Sequence, residues 1–117
     1  MRSVIQTNPK HAPGWIALAR LEETAGKMVA ARSWIEKGCE TCPDAEDVWL
    51  EAARLNTPSN AKTILAKAVR ALPQAVKLWL RAAELEKDTT AQKAVLRRGL
   101  ELVPPSKPFY FILFYFI

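Results

Sequence analysis

Trp15-Ile-Ala-Leu-Ala-Arg-Leu-Glu22, Trp49-Leu-Glu-Ala-Ala-Arg-Leu-Asn56 and Trp79-Leu-Arg-Ala-Ala-Glu-Leu-Glu86 are three versions of one phrase. Each tryptophan stands six residues after a proline, at Pro9, Pro43 and Pro73, and a fourth proline, Pro104, follows the third unit. The tryptophans are 34 and then 30 residues apart. A recurring period of that length belongs to repeats in which two helices form one unit and successive units stack.

The phrase itself reads as a helix buried on several sides. At about 100° per residue, the apolar positions one, three, four and six after each tryptophan cover most of the helix circumference. They are Ile16, Leu18, Ala19 and Leu21; Leu50, Ala52, Ala53 and Leu55; Leu80, Ala82, Ala83 and Leu85. Only the positions two and five after tryptophan are polar in most copies, so a helix of this kind must sit between neighbours. The stretch before each proline differs. Its apolar positions lie nine, eight, five, four and one residue upstream: Trp34, Ile35, Gly38, Cys39 and Cys42; Ile64, Leu65, Ala68, Val69 and Leu72; Val95, Leu96, Gly99, Leu100 and Val103. That spacing marks one face of an outer helix. The small residue five before proline permits close approach, although glycine there lowers helix propensity by up to about 1 kcal/mol relative to alanine. Proline then stops the helix, because it lacks an N–H and disfavours helix in the residue before it.

Turn chemistry agrees with this reading. Gly26 can end the first inner helix, while Pro58-Ser59-Asn60 and Asp88-Thr89-Thr90 supply a stop and cap candidates for outer helices. The expectation is an all-α solenoid of about three helix-turn-helix repeats, 10–43, 44–73 and 74–104. Residues 1–9, with Val4 and Ile5, read as the end of a preceding repeat helix, and 105–117 as an apolar non-repeat tail. Trp15, Trp49 and Trp79, with Pro43, Pro73 and Pro104, form the structural repeat core rather than a stacking platform for bases.

The first unit has the tetratricopeptide skeleton of Trp15, Leu18, Ala31 and Pro43. Seven residues after tryptophan, where that family favours an aromatic, stand Glu22, Asn56 and Glu86. An acid there resembles the half-a-tetratricopeptide (HAT) repeats of RNA-processing scaffolds, with Asn56 departing from the pattern. Further phrases, Gln6-Thr7-Asn8-Pro9, Ala19-Arg20-Leu21-Glu22-Glu23, Glu46-Asp47-Val48-Trp49 and Val95-Leu96-Arg97-Arg98-Gly99-Leu100-Glu101, resemble the pre-mRNA-processing factor 6 family. The likeness runs from about Ser3 to Pro104. It implies a right-handed α-solenoid, a nuclear location, spliceosomal snRNP proteins as partners, and a scaffold that bridges snRNPs in the tri-snRNP.

After Pro104 the pattern breaks. The next tryptophan position holds Tyr110, and Phe111-Ile112-Leu113-Phe114-Tyr115-Phe116-Ile117 follows with no polar stripe. As a helix, nine such residues reach only about 14 Å, too short for a hydrocarbon core of about 30 Å. An uncharged aromatic and β-branched run is aggregation-prone. It reads first as a non-native end to a truncated gene model, and second as a segment covering the last helix pair.

Candidate chemistry is sparse. Cys39-Glu-Thr-Cys42 is a CxxC, but zinc needs four ligands and only His11 remains. A redox pair wants a helix N-terminus, whereas these cysteines sit near a C-terminus at core positions. The four glycines form no phosphate loop. The reading is therefore no enzyme, no cofactor, no metal, no membrane span, no secretory signal and no small-molecule substrate. Two surfaces remain. The inner-helix stripe carries Arg20, Glu51, Arg54, Arg81 and Glu84, the candidate partner-binding set on the concave face. Lys37, Lys67 and Arg98 share the position six before proline, a candidate RNA-contact ridge. The net charge of +5 permits that contact, with an indirect link to RNA the preferred reading.

Overall fold

A computed structural model describes residues 10–107 and 110–115, with the side chains of 114 and 115 left aside. The expected helix end in 1–9 lies outside the described residues. Three helix pairs follow in order: α1 (Ala12–Thr24) with α2 (Met28–Thr41), α3 (Glu46–Leu55) with α4 (Pro58–Ala71), and α5 (Val76–Glu84) with α6 (Thr89–Leu102). A short α7 (Tyr110–Tyr115) comes last. No strand occurs among the described residues. The molecule is an all-α helical repeat, and its extents of 44 × 29 × 18 Å are those of stacked pairs.

The inner and outer roles separate cleanly. The inner helix α3 packs on α1, α2, α4 and α5, whereas the outer helix α4 packs on α3 and α5 alone. This is why the tryptophan-led phrase is apolar nearly all round. Ala19, Ala53 and Ala83, four residues after each tryptophan, are all buried, as are Leu18 and Ala52 one position earlier. The main core runs through all three units: it joins Ala19, Ile35 and Cys39 of the first to Trp49, Leu55 and Leu65 of the second and Leu78 of the third. One position departs from its copies. Leu55 is covered by the α2 side of its predecessor, but Leu21 is 54% exposed.

Proline and tryptophan are tied by more than register. The indole Nε1–H of Trp49 donates to the Pro43 carbonyl at 2.9 Å, and that of Trp79 donates to the Pro73 carbonyl at 2.8 Å. Each buried indole thus satisfies its single polar group on the carbonyl of the residue that ended the previous helix. Six residues is the span of turn plus first helical turn needed to bring these groups together.

Helix ends follow their residues. Gly26, with φ of 79°, closes α1 in a Schellman arrangement: its N–H reaches the Glu23 carbonyl at 3.0 Å, and Lys27 N–H reaches the Glu22 carbonyl at 2.8 Å. Thr57 caps α4 by accepting from Asn60 N–H, with Pro58 at the first helical position. Asp88 caps α6 by accepting from Thr90 N–H.

Glycine five before proline meets the tryptophan of its own unit. A Cβ on Gly38 would lie 2.9 Å from Trp15 Cβ and 3.3 Å from Val48 Cγ1. Neither neighbour is the free end of a flexible chain. Gly38→Ala is therefore expected to destabilise by about 1–3 kcal/mol through overpacking, outweighing its helix-propensity gain of about 1 kcal/mol. Urea denaturation followed by circular dichroism measures this, and a more stable variant would show that the pair can spread apart freely.

The tail differs from its sequence reading. Tyr110 and Leu113 reproduce the tryptophan and the leucine three later of Trp15-Ile-Ala-Leu18, and α7 packs on α5 and α6 as an inner helix packs on the unit before it. Leu113 is fully buried among Val76, Trp79, Ala83, Leu96 and Val103, with Tyr110 against the same cluster. The repeat register was hidden because tyrosine replaces tryptophan and no polar stripe marks the helix.

Candidate interaction surfaces

The inner-helix stripe is a network that joins two units. Arg20 Nε of α1 donates to Glu51 Oε2 of α3 at 2.7 Å. Arg54, one turn on from Glu51, donates to its other oxygen through Nε. The two remaining guanidinium nitrogens of Arg54 reach back to Glu23 at 3.0 and 2.7 Å, a forked pair. Glu51 is buried, its side chain only 3% exposed, while Arg20 and Arg54 keep 65% and 46% of theirs. Sequence placed Glu51 on a solvated, partner-facing stripe. The structure covers its carboxylate with two arginines instead, because helix α1 lies over that side of α3.

Charges within the network respond to one another. Arg54 holds the Glu23 carboxyl below the ordinary range, chiefly by the hydrogen bonds it donates, and Arg54 is itself raised by Glu23 and Glu51. With Glu23 depressed in the folded state, its stabilisation is present above the unfolded carboxylate pKa and lost as pH falls through the lowered one. The third unit reverses the order of charge: Arg81 donates to Glu84 of its own helix at 2.8 Å, both largely in solvent. A groove of about 600 Å³ runs along Ile16, Arg20, Leu50 and Arg54 between the first two inner helices.

The candidate ridge is exposed at all three positions. Lys37 Nζ lies 5.1 Å from the centre of the Trp34 ring, a cation–π contact. Arg98 donates to Glu101 at 3.1 Å. Lys67 borders a cavity of about 420 Å³ on the outer side, shared with Arg32, Glu36 and Asn60. The outer helices α2 and α4 do not pack on each other, so the ridge positions stand on separated helices.

A second set of basic residues escaped the sequence reading. Arg32, Lys62 and Lys93 all stand eleven before their prolines. Arg32 Nε donates to the Leu55 carbonyl at 2.8 Å, and Lys62 Nζ lies 3.4 Å from Glu86 Oε2. Each reaches the C-terminal end of the next unit's inner helix, where the dipole is negative. Where that unit has Glu86 the cation meets a carboxylate. Where it has Asn56, whose amide turns to the Ala52 carbonyl at 2.7 Å, the cation takes a backbone carbonyl. The shared register was the available signal.

The cysteines are core. Cys39 and Cys42 are both buried and free, and burial pushes the Cys39 thiol up to about 12 and raises Cys42 as well. Native-state alkylation at pH 8 should thus be slow at both sulfurs, becoming fast only in denaturant. Rapid labelling of the folded chain would contradict this placement. No group of three or more His, Cys, Asp or Glu suited to a metal ion occurs among the described residues, and none of their helices is long and apolar enough to cross a membrane.

Comparison with known proteins bears on the repeat. A tetratricopeptide repeat model matches residues 12–55, which spans α1 to α3. Human pre-mRNA-processing factor 6 is 58% identical over 96 residues, covering 82% of this chain and 10% of that protein. This chain is a homologue of pre-mRNA-processing factor 6. Pre-mRNA-splicing factor prp1 of Schizosaccharomyces pombe is 60% identical over 70 residues, 60% of this chain and 8% of its own length. Pre-mRNA-splicing factor 6 of Saccharomyces cerevisiae is 39% identical over 106 residues, 89% of this chain and 12% of its own. The chain thus spans about a tenth of the relatives it matches. The pre-mRNA-processing factor 6 likeness falls on a chain whose described residues are built of stacked helix pairs.

Proposed function

We propose that this chain is a scaffold element of pre-mRNA splicing, acting in the nucleus through protein contacts rather than catalysis. The identity of 58% with human pre-mRNA-processing factor 6 over most of the chain carries the reading. In its finer form, the scaffold helps bridge snRNPs during tri-snRNP assembly, its partners being spliceosomal snRNP proteins. The surface offered is the inner-helix side of the first two units, where Arg20 and Arg54 keep part of their guanidinium surface in solvent over the half-buried Ile16 and Leu50. Cations anchored on acids beside apolar area suit a protein surface.

The test is recovery of snRNP proteins from nuclear extract on the tagged chain, before and after nuclease treatment. Recovery that survives nuclease and falls in an Arg20→Ala, Arg54→Ala double variant supports the reading. Recovery lost entirely with nuclease would shift it to RNA. The ridge of Lys37, Lys67 and Arg98 is less suited to a phosphate backbone, since Lys37 rests on Trp34 and Arg98 is paired with Glu101. Binding of RNA through it would weaken steeply with salt.

A further inference from the structure

The seat that α7 occupies has two features that α7 does not use. Leu113 and Tyr110 fill the apolar part, against Trp79, Leu96 and Val103. Beside them a cavity of about 390 Å³ remains, lined by Leu80, Ala83, Glu84, Gln92, Leu96 and Ile112. The helix spans six residues, where the other inner helices span 9 to 13. The second feature is Lys93. It shares the register of Arg32 and Lys62, which reach forward to the C-terminal end of the following inner helix, yet Lys93 makes no hydrogen bond or ion pair among the described residues. Seven residues after Tyr110, where Glu86 meets Lys62 in the preceding junction, the sequence has the apolar Ile117.

We propose that the α5–α6 face is a docking surface for a helix with an aromatic residue, leucine three later and an acid seven later, and that α7 is a partial, displaceable occupant of it. The aromatic and leucine fill the seat that Tyr110 and Leu113 now hold. A longer helix fills the cavity beside them, and its acid meets Lys93. Charge complementarity selects the partner: Arg32 and Lys62 show what a cation at this register takes, a carboxylate or the negative end of a helix. The inference rests on the packing of this chain and is independent of any role in splicing.

The chain itself supplies a probe. Residues 10–25 contain Trp15, Leu18 and Glu22 in the required spacing, and a blocked synthetic peptide of that sequence can be titrated calorimetrically into the full chain. Leu113→Asp vacates the seat and should tighten peptide binding relative to the unaltered chain. Lys93→Glu, added to it, should weaken binding about two- to fivefold, the range for a partly exposed ion pair. A peptide with Glu22→Lys should recover that loss. Equal binding to both chains, no binding to either, or no recovery on charge reversal would overturn the proposal. If Leu113→Asp does not melt cooperatively, the unaltered chain serves instead. Excess peptide should then accelerate chymotrypsin cleavage after Phe111, and cleavage unchanged by peptide would overturn the proposal.

Discussion

Trp49→Ala is expected to remove about 3–5 kcal/mol of unfolding free energy, the usual cost of deleting a buried tryptophan. Single domains hold about 5–15 kcal/mol in all, so this variant should lose much of its cooperative transition at ambient temperature. Trp49 is 8% exposed and belongs to the cluster that runs through all three units. Its removal therefore opens a cavity between units as well as within one. It also strips the Pro43 carbonyl of the indole donor. Trp49→Phe separates these effects: most of the buried ring stays and the hydrogen bond goes, for a cost nearer 1 kcal/mol plus the volume lost. Urea denaturation of both variants measures the split. Near-native stability of the alanine variant would mean that neighbouring units hold together without the indole.

Glu51→Lys is expected to be nearly as damaging, by about 3 kcal/mol, the low end for an uncompensated buried charge. The carboxylate that now accepts from Arg20 and Arg54 would become a third cation beneath them. Both arginines can swing toward water, which holds the cost at that low end. Arg54 would keep its forked pair with Glu23. A second-site Arg20→Glu change should recover part of the loss by restoring an opposite charge across the α1–α3 contact. Thermal melts of the single and double variants give the coupling. If the double variant is no more stable than the single, the network does not join the units energetically.

The fold was legible because three tryptophans and four prolines mark the same two points in every unit. Helical angle then told which pair member lay inside, since Ala19, Ala53 and Ala83 leave no polar side to the inner helix. Glu51 was not legible in this way. Two residues after tryptophan reads as solvent on one helix, and only the neighbouring helix decides that it is covered. The base eleven before proline was written in the chain at Arg32, Lys62 and Lys93, but its partners lie 23 or 24 residues onward. Spacing within one unit could not reveal a bond between two. Leu21 errs in the opposite direction: it carries the core residue type of Leu55, but not the cover that α2 provides there.

The two junctions of the inner-helix stripe do not carry equivalent charges. Arg20 faces Glu51 across the first, whereas the second brings the unit bearing Arg54 beside one whose corresponding position is Arg81. Arg54 turns back to Glu23, and Arg81 pairs within its own helix. The units are thus alike in shape but not exchangeable. A gene duplication of the middle one would set Arg54 against another Glu51 and be accommodated, whereas moving the third directly behind the first would set Arg20 against Arg81. Stacking supplies a common gauge, and these charges give the modules a serial order.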